Sequence, residues 1–147
     1  MKTGHDIAMA LRAAYLALHR RSDARFARHG VTADQFVVLA ALAGGDALTQ
    51  RDLARRTSSD PNTVRAMLLL LEKRGLVARS AHPTDGRART AALTPKGRRA
   101  YRALWAAGKP VRARLLAALA PAETEALLDL LGRVARAMAP PADRVAD

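Results

Sequence analysis

The sequence predicts a mainly α chain with a small β-hairpin, and three observations lead there. Half of the 147 residues are hydrophobic, yet Tyr15, Phe26, Phe36, Tyr101 and Trp105 are the only aromatics, so the core must be built from Ala, Leu and Val, a mixture that favours helices. Apolar residues recur at helical spacing, and the runs open on residues suited to cap a helix. One stretch breaks that grammar. HPTDGRART, residues 82–90, sets a proline, an Asp-Gly turn pair, two arginines and a histidine between flanks that read as extended.

Each element follows from local signals. Ile7, Leu11, Ala14, Tyr15 and Leu18 share one face of a first helix over about residues 5–28, closed by Gly30. Thr32-Ala33-Asp34-Gln35 reads as a capping box, with Val31 and Phe36 at the positions of a hydrophobic staple, and starts a second helix that ends near Ala43 before Gly44-Gly45-Asp46. Thr49 and Asp52 repeat the box, with Leu48 and Leu53 as the staple, for a short third helix ending near Thr57. Asp60 caps a fourth, Pro61 takes its first position where no N–H is needed, and Gly75 closes it after Arg74. Strands follow at Leu76–Ser80 and Ala88–Leu93 around the Pro83-Thr84-Asp85-Gly86 turn. Thr94-Pro95 starts a fifth helix extending to about Leu119, and Pro121 a sixth through Ala137 with Glu123 and Glu125 in its first turn. The tail from Pro140 is expected to fray.

Two helices joined by about three residues, then strand, turn and strand, is the order of a winged helix-turn-helix, with the basic hairpin as wing. The charge agrees. Net charge is +12, and residues 51–99 hold 12 basic against 4 acidic side chains, a focus that points to a polyanion. The competing reading is a solvated basic surface on an arginine-rich chain, and composition by itself does not separate the two.

Other classes find less support. The longest uncharged stretch, Gln35 to Gly45, has 11 residues against the roughly 20 of a membrane span, so no membrane partner is expected. The apolar run between Asp6 and Arg12 is too short for a secretory signal, which with the absence of cysteine points to a cytoplasmic protein. That absence also excludes thiol redox sensing and thiolate metal ligation. His5, His19, His29 and His82 lie on different elements, with no nucleophile motif, glycine-rich phosphate loop or acid cluster beside them, so no enzyme, cofactor or metal is expected.

The last two helices carry Leu115, Leu116, Leu119, Leu127, Leu128, Leu130, Leu131 and Val134, more apolar surface than two helices can hide from each other. The first helix, through Leu11, covers part of it. A second copy of the chain is the natural source of the rest, so a homodimer is expected.

From Val31 to Ala137 the sequence resembles the MarR family of winged-helix transcriptional regulators. GVTADQFVVLAAL, LTQRDLARRT, DPNTVRAMLLLLEKRGLVAR, PTDGRARTAALTPKGR and LLAALAPAETEALLDLL carry the resemblance, in family order and at family spacing. It implies a homodimer built from the first, fifth and sixth helices, with two lobes on one palindromic operator. Many relatives are repressors released by a small, often aromatic or phenolic, effector bound between dimer region and lobe. Tyr15, His19 and Phe36 are the candidates to line such a pocket, with core packing the preferred competing role for each. On this reading residues 1–30 form an N-terminal dimerisation helix, 31–94 the DNA-binding lobe, 95–139 the C-terminal dimerisation helices and 140–147 a tail. The sequence departs from the family at Ala120, where serine is usual, and at Leu69 and Leu70, which replace a polar pair and are expected to pack on the wing or second helix. A winged-helix scaffold or architectural DNA binder without operator specificity is the alternative function.

On double-stranded DNA, base-edge contacts specify and phosphate contacts position. The start of the fourth helix carries Asn62, Thr63, Arg65 and Ala66 off its apolar stripe. Arg65 matches guanine O6 and N7 and Asn62 matches adenine N6 and N7, with Ala66 beside them, so these three are the expected readers. Thr63, Arg51, Arg55, Arg79, Arg89 and Lys96 are the expected phosphate contacts. Arg87 at the hairpin tip suits a narrow minor groove, its guanidinium directed by the carboxylate of Asp85.

Overall fold

Thr3 opens the first helix, α1 (Gly4–Phe26), with a capping box: its hydroxyl accepts the Asp6 N–H while the Asp6 carboxylate takes the Thr3 N–H at 2.7 Å. Those bonds, the backbone one first and the hydroxyl second, hold the Asp6 carboxyl below its ordinary range. One turn of 3-10 helix follows, and Gly30, at φ 64°, makes the left-handed exit. The computed structural model describes residues 1–140; beyond Pro140, the expected frayed tail lies outside the described residues. Two compact units divide the chain, Met1–Val111 and the part from Arg112 onward.

Within the first unit the local grammar holds. Thr32 caps α2 (Ala33–Leu42) and Thr49 caps α3 (Gln50–Thr57), each in a full box with the residue three positions on. Asp60 caps α4 (Pro61–Lys73), and Gly75, at φ 74°, ends it. Val77–Ala81 (β2) and Arg89–Leu93 (β3) form the antiparallel hairpin, and Thr94 caps α5 (Pro95–Ala107). One strand escapes the sequence reading. Leu48–Thr49 (β1) pairs with β3 through Leu48 opposite Ala91, giving a three-stranded sheet of order β1-β3-β2.

Val38, Leu39 and Leu42 of α2, Leu53 of α3, Val64, Leu68 and Leu71 of α4 and Leu104 of α5 meet in one core, all at 0–1% exposure. Burial of that kind contributes about 1.5–3 kcal/mol per side chain. The staple residue Val31 joins the core, and Phe36 packs against it. The junction of α4, β2 and α5 is tied by main-chain acceptors: the Thr94 hydroxyl donates to the Gly75 carbonyl at 2.6 Å, the Thr94 N–H to the Leu76 carbonyl at 3.1 Å and the Lys96 ammonium to the Arg74 carbonyl at 2.9 Å. Gly97 passes so close that a Cβ there would meet the Leu76 carbonyl oxygen at 1.9 Å. No side chain fits.

The long fifth helix expected to reach Leu119 is interrupted. It ends at Ala107 and resumes as α6 (Lys109–Ala117), because Pro110 has no N–H for the Ala106 carbonyl. Arg25 Nε donates to the Ala107 carbonyl at 2.7 Å, satisfying one of the acceptors freed there.

The second unit contains most of α6 and α7 (Pro121–Met138). As the alanine at its N-cap implies, α7 has half a capping box: Glu123 accepts the Ala120 N–H at 2.9 Å, but no side chain at 120 can return the bond. None of its residues is buried. Among the described residues no helix is long and apolar enough to cross a membrane.

Candidate nucleic-acid interface

The approach of α3 to α4 is set by the short link between them. Ser58 takes the left-handed conformation at φ 52°, Ser59 donates its N–H to the Ala54 carbonyl at 2.9 Å, and Gln50 Nε2 crosses to the Pro61 carbonyl at 3.0 Å. That last bond joins the first turns of the two helices. Asp60 Oδ1 then accepts the N–H groups of Asn62 at 2.8 Å and Thr63 at 3.3 Å, fixing where α4 begins. At the base of α3, the Thr49 hydroxyl first and its N–H second hold the Asp52 carboxyl below the ordinary range.

With Val64, Met67, Leu68 and Leu71 turned into the core, Asn62, Thr63, Arg65 and Ala66 are exposed on the other side of α4. Among the described residues the side chains of Asn62, Thr63 and Arg65 make no hydrogen bond or ion pair, so their donors and acceptors are available to a ligand. Leu69 and Leu70 do not pack on the wing or on α2 as expected. They are 47% and 53% exposed, because the helix commits residues 64, 67, 68 and 71 to the core and the next two positions must face away. Leu69 follows Asn62, Arg65 and Ala66 along the same stripe.

The wing extends from the paired ends of β2 and β3, where Ala81 lies opposite Arg89. Arg87 and Arg89 are exposed and Arg79 is half-buried. Asp85 acts on Arg87 differently from expectation: Oδ1 accepts the backbone N–H of Arg87 at 3.0 Å, and no ion pair joins the two side chains among the described residues. A carboxylate two residues before an amide closes an Asx turn more readily than it meets a long guanidinium. On α3, Arg51 and Arg55 are exposed one turn apart, and Lys96 on α5, also exposed, spends one of its three donors on the Arg74 carbonyl.

The three pocket candidates take different positions. Phe36 packs as a core residue, its ring 4.6 Å from Phe26 and 5.9 Å from Tyr101, whose ring lies 6.2 Å from Trp105. Tyr15 is not a core residue; it is 57% exposed, with its ring 5.6 Å from that of His19. His19 Nε2 stands 3.1 Å from Asp23 and Nδ1 3.9 Å from Asp34. Asp23 also accepts the Ala33 N–H at 2.6 Å, a tie from α1 to the start of α2. The sequence offered no sign of it, because the partners are far outside capping distance along the chain. Among the described residues no group of three His, Asp or Glu side chains is placed to hold a metal ion.

The apolar residues expected at a dimer interface are poorly covered: Leu115, Leu127, Leu128 and Leu131 are exposed by 51%, 37%, 67% and 39%, and Leu11, Leu119 and Val134 are half-buried.

A family model described as MarR family matches residues 29–88. A helix-turn-helix-type transcriptional repressor of Mycobacterium tuberculosis strain H37Rv is 37% identical over 106 residues, which cover 70% of this chain and 76% of that protein. Among solved structures, the PcaV transcriptional regulator of Streptomyces coelicolor in complex with its natural ligand is similar at 29% identity and a TM-score of 0.77, over 94% of this chain and 95% of its own. BpsR of Bordetella bronchiseptica, whose DNA binding is regulated by 6-hydroxynicotinic acid, is similar at 30% identity and a TM-score of 0.82, over 92% and 96%. With α4 capped by Asp60, a basic hairpin beside it and these similarities along most of its length, the chain belongs to the MarR family of winged-helix, DNA-binding transcriptional regulators.

Proposed function

We propose that the protein is a repressor that binds a palindromic operator as a homodimer and is released by a small aromatic or phenolic ligand. The observation that carries the reading is the capped start of α4: a rigid first turn presents Asn62, Arg65 and Ala66 with no internal partner for the two polar side chains. Preorganised donors of this kind read base edges in a major groove, Arg65 on guanine and Asn62 on adenine. Thr63, Arg51, Arg55, Arg79 and Arg89 neutralise phosphates, and Arg87 on the wing enters the adjoining minor groove. Lys96 gives one of its three ammonium N–H donors to the Arg74 carbonyl and meets a phosphate with the others. The exposed leucines of α6 and α7, with Leu11 of α1, supply the contact between the two copies, and two-fold symmetry sets the half-sites about 10 base pairs apart.

For the ligand, the support is aromatic: Tyr15 and His19 on α1, and Tyr101 and Trp105, which continue outward a row of rings that begins in the core with Phe26 and Phe36. Flat rings favour offset stacking with such side chains. PcaV and BpsR, with their ligands, are the precedents.

Selection of duplexes by the purified protein tests the operator. Arg65→Ala should cost about 1–3 kcal/mol and relax preference at one position of each half-site, whereas Arg55→Ala should weaken all sequences alike and lower the salt slope by about 1. A uniform loss from Arg65→Ala would replace operator recognition with architectural binding.

A further inference from the structure

The wing contains a polar device that the reading of its arginines does not use. His82 is the first residue beyond β2, and its Nδ1 lies 3.0 Å from the Asp85 amide, 3.2 Å from the Thr84 amide and 3.4 Å from the Thr84 hydroxyl. Backbone amides only donate. Nδ1 must therefore accept, and the proton of the neutral ring sits on Nε2. Between His82 and these amides stands Pro83, which has no N–H to compete and a fixed φ. The imidazole thus does for this turn what a serine or aspartate does at a helix start.

The bonds continue toward the tip. With its amide held by His82, Asp85 accepts the Arg87 N–H on its carboxylate at 3.0 Å and the Ala88 N–H on its carbonyl at 3.2 Å. His82 closes the loop by donating its own N–H to the Ala88 carbonyl at 3.1 Å. The main chain on both sides of exposed Arg87 is in this way held by the imidazole, the Asp85 carboxylate and two main-chain bonds, with Asp85 linking the ring to the tip. A free loop of this length would lose conformational entropy on meeting DNA; a capped one has lost it already.

We propose that His82 is a positioning residue of the wing: as a neutral imidazole accepting at Nδ1, it folds the loop that directs Arg87 at DNA. This rests on the assignment of Arg87 to the minor groove. His82→Asn keeps an acceptor at a similar position, and His82→Ala removes it.

The test has two arms. Long-range proton–nitrogen NMR of the full chain without DNA should show His82 with a pyridine-type Nδ1 and a protonated Nε2; a proton on Nδ1 overturns the proposal whatever the DNA result. Affinity for a duplex selected by the wild-type protein should fall about 10-fold in Arg87→Ala and about 3- to 10-fold in His82→Ala, with His82→Asn within about 2-fold of wild type. The double variant His82→Ala, Arg87→Ala should be no weaker than Arg87→Ala alone, because a residue that acts by aiming Arg87 has nothing left to aim. Fully additive losses, or an Asn variant as weak as Ala, overturn the positioning role. Unaltered affinity in Arg87→Ala overturns the minor-groove assignment itself, which the DNA-free measurement distinguishes.

Discussion

The helices α4 and α7 are written in similar sequence and end in opposite circumstances. Leucines repeat at helical spacing in both, but Leu68 and Leu71 of α4 are 1% and 0% exposed whereas Leu127, Leu128 and Leu131 of α7 are 37%, 67% and 39% exposed. The contrast recurs inside α4, where Leu69 and Leu70, next to Leu68, are about as exposed as Leu131 or more so. An apolar stripe states that a face needs cover; it does not state who covers it. For α4 the cover is α2, α3 and the hairpin, and for α7 it is assigned here to a second copy of the chain.

Truncating the leucines would break the comparison most directly. Leu68→Ala should lower the unfolding free energy by about 2–5 kcal/mol in denaturant titration, while Leu69→Ala, one residue on, should change it by under about 0.5 kcal/mol. Leu128→Ala should leave the fold intact and shift sedimentation velocity toward the single chain. If it cost as much as Leu68→Ala at concentrations where the chain is already alone, α7 would be covered from within.

Gly97→Ala sharpens the same contrast from the tightly packed side. Its Cβ would meet main-chain oxygen rather than a movable side chain, so α5 must shift, at a cost of about 1–3 kcal/mol by thermal unfolding. Gly132, on α7, has only the far end of the Arg136 side chain near its absent Cβ. Alanine there should be tolerated.

The helix starts differ as well. Ala120→Ser completes the box that Glu123 half forms and should stabilise α7 by about 1 kcal/mol, read as slower amide exchange in its first turn. The smallest effect belongs to Asp52. Its carboxyl is held low in the folded chain by Thr49, so its contribution is present above the unfolded carboxylate value and is lost as pH falls through the lowered one. Acid titration should loosen the first amides of α3, and Asp52→Asn should flatten that response.

What was legible in the residues was what depends on near neighbours. Thr32 with Gln35, Thr49 with Asp52 and Asp60 with Pro61 lie within one turn of each other, so two capping boxes, one simple cap and the winged order they delimit follow from spacing. Pro110 is as visible, yet the fifth helix expected from Thr94-Pro95 to Leu119 runs through it, where the chain breaks between Ala107 and Lys109. The wing was recognised by its turn residues; His82 as the acceptor for two of its amides was not, because an imidazole can donate or accept and only geometry decides.

The order of helices and hairpin from α2 to the start of α5, the caps at Thr32, Thr49, Asp60 and Thr94 and the cationic middle of the chain came from the sequence, since helix starts and turns are settled by bonds spanning three or four residues. The pairing of Leu48 with Ala91, the hold of Arg74 on the Gly30 carbonyl at 2.6 Å, the tie from Gln50 to Pro61 and the choice of which leucines face water belong to the tertiary structure. Each of these joins positions that only become neighbours once the helices have packed, and no periodicity along a chain encodes the distance across a core.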